Sequence, residues 1–224
     1  MEEATRRDYL QSLGIDLWLP RSVTPVMAAS VAIAAPKSDW QQLGAEVAIC
    51  TRCPLHRTRS NTVFGVGAVA ARWMVVGEAP GADEDLQGEP FVGRAGQLLT
   101  AMLKACGLER SEVFIANILK CRPPNNRDPQ PDEVRECMPY LARQIAHVRP
   151  QMILAVGRIA AQNLLATEMP LGRLRGQVHR FGQFDTPLVV TYHPAYLLRS
   201  PDEKRKAWDD LKFAMSVCPP KLVT

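Results

Sequence analysis

The chain has 224 residues and a mass of 24.8 kDa, with 46% hydrophobic and 22% charged residues, a formal net charge of +4 and a pI near 8.8. That length suits one substantial domain with an appendage, and apolar runs such as Met152 to Val156 are far below the roughly 20 residues that cross a bilayer. Glu2, Glu3, Arg6, Arg7 and Asp8 open the chain without the apolar stretch of an export signal, so a cytoplasmic location is expected, and the six cysteines are read as thiols or metal ligands rather than disulfides.

In chain order, residues 5–13 suit a short helix ending near Gly14, and "SVTPVMAASVAIAAPKS" (22–38) reads as a linker of small residues closed by prolines. This divides the chain into an N-terminal segment, 1–37, and a main domain, 38–224. Ser38 and Asp39 can cap a helix through Trp40, Leu43, Val47 and Ile49 that runs into Cys50 and Cys53 of "CTRCPLHRTRS". Four apolar β-rich segments follow, "RWMVVGE", "VFIANIL", "QMILAVG" and "PLVVTYHP", separated by helical patterns near 95–106, 131–147 and 157–166. Such alternation predicts an α/β fold, a three-layer α/β/α sandwich with a central four-stranded, mainly parallel sheet. Functional loops then belong at the carboxyl ends of the strands, starting at Gly77, Leu119, Gly157 and Tyr192.

The first of these loops, within "VVGEAPGADEDLQGEPFVGRAGQLL" (75–99), contains neither a G-x-G-x-x-G dinucleotide fingerprint nor the Lys-Ser/Thr of a phosphate loop. Asn117 is a polar amide inside a strand pattern, where asparagine is depleted; it is either a structural hydrogen-bonder or a ligand reader. His193 follows the last strand, either capping a turn before Pro194 or donating into a site. Cys50, Cys53, Cys121 and Cys137 are separated by two, 67 and 15 residues, a spacing unlike the paired knuckles of a zinc ribbon. On donor chemistry alone, four thiolates serve zinc or an iron-sulfur cluster equally.

"GEAPGADEDLQGEPFVGRAGQLL", "NILKCRPPNNRDP" (117–129) and "HPAYLLRSP" (193–201) together resemble the iron-sulfur, or family 4, branch of the uracil-DNA glycosylases, over about residues 38–216. The resemblance implies a monofunctional base-excision-repair enzyme, acting as a monomer near the bacterial nucleoid, that flips uracil out of DNA and hydrolyses its N-glycosidic bond. It implies that Gly77, Glu78 and Ala79 line the uracil edge, Phe91 stacks on the base, Asn117 pairs with O4 and N3–H, and Glu84 shapes the pocket near C5. His193 stabilises charge developing on O2. Glu78 orients water or stabilises the sugar cation, because Ala79 stands where the best-known branch of the superfamily has an aspartate. It further implies a 4Fe-4S cluster on Cys50, Cys53, Cys121 and Cys137, with Cys106 and Cys218 as ordinary thiols and His56 part of a basic surface that the arginines beside it make into a shoulder for DNA. Lys120, Arg122, Arg127, Arg173, Arg175 and Arg199 are expected to meet phosphates, and Leu198 to fill the gap left by the flipped base. The basic insertion of the covalently binding type-X enzymes is missing, which disfavours covalent capture. Residues 6–22, "RRDYLQSLGIDLWLPRS", resemble the peptide by which the psi subunit of DNA polymerase III docks on the chi subunit. The competing expectation is a non-catalytic iron-sulfur module that binds DNA or senses redox state.

Overall fold

The computed structural model describes residues 39–220, so the N-terminal segment with its expected helix and docking peptide lies outside the described residues. Helix α1 (Asp39–Ala48) comes first. Strands β1 (Val66–Gly67), β2 (Trp73–Gly77), β3 (Phe114–Asn117), β4 (Met152–Val156), β5 (His179–Phe181) and β6 (Thr186–Thr191) form one sheet in the order β1-β3-β2-β4-β6-β5. The inner four are parallel, as the apolar runs predicted, while β1 and β5 add antiparallel edges, making six strands among the described residues rather than four. Those edges have two and three residues and partly exposed side chains, so they carry no readable alternation.

Alternate residues of the buried strands point to opposite faces, and each face meets its own helices. Met74, Val76, Ile153 and Ala155 pack with Leu141 and Ile145 of α4 (Pro131–Val148) and Ala160 and Leu164 of α5 (Arg158–Leu165). Trp73, Val75, Leu154 and Val189 pack with Leu99 and Leu103 of α3 (Arg94–Ala105) and Leu211 and Ala214 of α8 (Lys204–Val217). Both faces being covered explains why the strands read as unbroken apolar runs. The short helices α2 (Ala82–Gln87), α6 (Leu171–Leu174) and α7 (Pro194–Arg199) occupy the loops that follow β2, α5 and β6. Helix α1 lies on α4 through Leu43, Val47 and Tyr140, clasped by Arg143, which pairs with Asp39 at 2.8 Å and with Glu46. Among the described residues no helix is long and apolar enough to cross a membrane.

Candidate functional site

Parallel register sets Gly77 beside Asn117 at the carboxyl ends of β2 and β3, and Val156 beside Thr191 at those of β4 and β6. The loops leaving these ends enclose a cavity of about 420 Å³ bordered by Glu78, Ala79, Glu84, Phe91, Asn117, Arg127, His193 and Arg199, among others. Eight of the sequence-expected residues thus meet in one place, although they come from stretches more than a hundred residues apart.

Close approach at the floor depends on missing side chains. A Cβ on Gly77 would stand 2.4 Å from Asn117 Oδ1 and 2.6 Å from the Phe91 ring, so only glycine lets those two side chains converge there. A Cβ on Gly96 would lie 1.7 Å from the Phe91 carbonyl oxygen, so that glycine lets the loop lie against the first turn of α3. Phe91 itself has φ of 55°, a left-handed conformation that costs a non-glycine residue about 1–3 kcal/mol and is held only by its surroundings. Glu84 supplies part of that hold: its carboxylate accepts from the amides of Gly81 at 3.1 Å, Val92 at 2.9 Å and Gly93 at 3.2 Å. The neighbouring acid Asp85 is buried and accepts from the Ser60 amide at 3.0 Å, so it braces two loops, while Asp83 is exposed.

Asn117 is 2% exposed and its Oδ1 has no hydrogen-bond partner among the described residues, an unmet acceptor bordering a cavity. Leaving such a group unpaired costs about 1–3 kcal/mol, a cost that a ligand donor can remove. Phe91 and His193 face the same space with ring centroids 5.6 Å apart and planes tilted by 31°. His193 Nδ1 accepts from the Ala195 amide at 3.1 Å, which leaves the ring proton on Nε2. Burial, helped by the positive charge of Arg199, pushes its pKa down to about 4, so the ring is neutral at ordinary pH. The opposite shift affects Glu78, whose carboxyl is pushed up to about 7, first by burial and then by the charge of Asp128.

Several expected DNA contacts change role. Lys120 is 1% exposed; its ammonium donates to the Asn117 carbonyl at 2.8 Å and to Gln144 Oε1 at 2.6 Å, so it props the base of the site from within and does not reach phosphate. Gln144 in turn donates to the Phe64 carbonyl at 2.8 Å. Arg175 is bound to Asp210 at 2.7 and 2.9 Å and is also an internal strut. Arg127 borders the cavity while pairing with buried Glu133 at 2.9 and 2.5 Å, and Arg122 is held by Asn126 at 2.8 Å. Arg173 and Arg199 are exposed. Leu198 is half-buried and does not border the cavity, whereas Tyr196, which sequence reading passed over, does. Its spacing of three residues before Arg199 on one short helix was the available signal.

Cys50 and Cys53 are partly buried and Cys121 and Cys137 buried, all free. Burial raises the thiols of Cys53, Cys121 and Cys137, the last to about 11, and charge on neighbouring cysteines of the set raises each further. The sulfurs already receive donors: Arg59 Nη1 to Cys121 Sγ at 3.0 Å and the Lys120 amide to Cys137 Sγ at 3.4 Å. Arg59 therefore turns inward to the thiols instead of joining an outer basic shoulder. His56 uses Nδ1 to bond the Cys53 carbonyl at 2.7 Å. Among the described residues no three His, Cys, Asp or Glu side chains are grouped as a site for one metal ion. Cys106 and Cys218 are buried in the other half of the core.

Residues 64–212 match the family model described as the uracil DNA glycosylase superfamily. The chain is 47% identical over 186 residues to a type-4 uracil-DNA glycosylase of Archaeoglobus fulgidus, covering 80% of this chain and 93% of that protein. A type-4 uracil-DNA glycosylase of Pyrobaculum aerophilum is 45% identical over 77% of this chain and 91% of its own length, and one of Thermotoga maritima 42% identical over 75% and 88%.

Proposed function

Since the chain belongs to the uracil DNA glycosylase superfamily, we propose that the cavity at the ends of β2, β3 and β6 is where it excises uracil from DNA, as a hydrolase of N-glycosyl bonds in DNA repair. The observation that carries the site assignment is the buried, unpartnered Oδ1 of Asn117, a residue that borders the cavity together with Phe91. A flipped uracil donates N3–H to that oxygen and accepts at O4 from the same amide, while cytosine presents the reverse pattern at both positions. Phe91 stacks on the base, and the backbone from Gly77 to Ala79 follows its edge. Glu84 acts by holding the loop of Phe91 in place, so that the wall near C5 stays rigid against a methyl group.

The reaction is mainly dissociative. As the glycosidic bond breaks, negative charge gathers on uracil O2, and a neutral His193 with its proton on Nε2 meets it as a fixed donor. The sugar becomes oxocarbenium-like, and ionised Glu78 stabilises it and orients the water that adds late. With alanine at position 79, no carboxylate is offered there. Arg199, exposed on the rim, holds a phosphate and positions the strand without reading sequence, and Arg122 adds positive charge beside the cavity mouth rather than on its rim.

The four thiols suit a 4Fe-4S cluster on Cys50, Cys53, Cys121 and Cys137. An all-thiolate set suits it, and the two buried members, Cys121 and Cys137, accept from the Arg59 guanidinium and the Lys120 amide. When bound, the cluster supplies structural cross-linking of α1's end, the loop after β3 and α4. The remaining elements of this reading are a cytoplasmic, nucleoid-associated monomer and a chi-docking peptide at residues 6–22, which binding of chi to the full chain but not to residues 38–224 would support and equal binding would refute. The activity itself is tested by incubating the purified protein with a uracil-containing oligonucleotide: free uracil and alkali-labile abasic sites are expected. Intact protein that binds the strand and releases nothing would favour a non-catalytic DNA-binding module instead.

A further inference from the structure

Among the described residues the exposed aromatic side chains are Phe184, Tyr196 and Trp208, and of these only Tyr196 borders the cavity. A singly exposed ring is ordinary on a protein surface, but this one is mounted. It stacks on Tyr192 with centroids 5.2 Å apart and planes 20° from parallel. Tyr192 is fixed in turn by Arg175, whose Nη1 donates to the tyrosine hydroxyl at 3.1 Å and whose guanidinium carbon lies 4.3 Å from the ring centroid. Arg175 is locked by the buried carboxylate of Asp210, which also accepts from the Thr191 hydroxyl at 2.8 Å at the end of β6. A chain of directed contacts thus ties the rim ring back to the central sheet, so presenting Tyr196 costs little further ordering when a ligand arrives. Arg199, three residues on and exposed, puts a cation on the same rim.

We infer that Tyr196, backed by Tyr192, is a stacking subsite for the nucleobase next to the excised uracil, with Arg199 on the phosphate between them. The inference rests on the glycosylase reading and extends it to substrate choice. Rotating uracil out of the strand leaves its neighbour with an uncovered face. An aromatic ring beside a cation is the combination by which proteins hold single-stranded nucleic acid, and it works with any base because each has a π-face. In duplex DNA the neighbour remains paired and stacked on its other side, so it gains less from leaving that arrangement for the ring. The subsite therefore favours uracil in single strands.

The test uses the full chain and a single-stranded oligonucleotide with 2-aminopurine beside a uracil whose 2′-fluorinated sugar resists cleavage. Binding should quench the 2-aminopurine fluorescence in the native protein and in Tyr196→Phe, which keeps the ring, but not in Tyr196→Ala. On cleavable single strands Tyr196→Ala should raise KM about tenfold or more with kcat within about threefold, and the rise should be smaller on duplex. Quenching that survives in Tyr196→Ala, or is lost equally in Tyr196→Phe, overturns the proposal, as does an unchanged single-strand KM. If the native protein releases no uracil from any strand, the glycosylase reading has failed; if release is normal and only the quenching and KM differences are missing, the stacking subsite alone has failed.

Discussion

Two regions meet on the loop that follows β3, and they treat their polar atoms in opposite ways. In the cavity, Asn117 Oδ1 is left without a partner, Phe91 is held in a left-handed conformation, and His193 and Glu78 are shifted against their charged forms by burial. Four residues beyond Asn117, Cys121 is buried, as is Cys137, with sulfurs that accept from Arg59 and the Lys120 amide, and His56 is tied to backbone. One region leaves interactions unmet, as the proposed ligand site requires; the other meets its own. Lys120 forms the wall between them, its side chain under Asn117 and its amide on Cys137. Substitutions in the cavity should therefore change rate with little loss of stability, and substitutions among the thiols should do the reverse.

The largest effect is expected at His193. His193→Ala removes the Nε2–H donor proposed to meet the departing base and should lower kcat by about 10²–10³ with the melting temperature near that of the native protein, as single-turnover release and thermal denaturation would show. A nearly native rate would place the oxyanion donor elsewhere. Gly77→Ala should come next. Its new Cβ would drive into Asn117 Oδ1 and the Phe91 ring, so release should fall by roughly 10²-fold, since misplacing reacting groups by about 1 Å costs that much.

Cys137→Ala should invert the pattern. Bound iron and the melting temperature should fall together, by several degrees or more, while protein that remains folded keeps its kcat within about threefold. A rate lost in proportion to iron at unchanged stability would mean that the two regions are not separable in this way. Glu78 gives the smallest effect and the sharpest sign. With its pKa near 7, the carboxyl protonates as pH falls through neutrality, so release should decline below pH 7. Stability should move the other way: a carboxyl raised from 4.5 binds its proton more tightly in the folded state, so stability falls as pH rises through that window. Glu78→Gln should flatten both profiles at a cost below about tenfold in rate at pH 8.

The parallel core of the sheet was legible because strands buried on both faces appear as unbroken apolar runs, and Asn117 was legible as a polar residue interrupting one of them. The edge strands were not, being too short to show a period, and α8 offered alternating charges that hid its buried stripe of Ala207, Leu211 and Ala214. Phe91 and the proposed thiol set needed the family resemblance, since neither a left-handed backbone nor a ligand set drawn from segments as far apart as Cys53 and Cys121 is written in local spacing. Lys120 and Arg175 misled for one physical reason. A basic residue in a loop pattern reads as solvated, and only the fold shows that a carbonyl, an amide or a carboxylate has drawn it inside.

The most direct test is Asn117→Ala, measured for single-turnover uracil release and for thermal stability on the same preparation. An amide kept unpaired for the base predicts a loss of at least about 10²-fold in release with a melting temperature unchanged or raised, because an unmet buried acceptor has been removed. A protein that keeps its rate but melts at a lower temperature would show that Asn117 serves the fold and not the base.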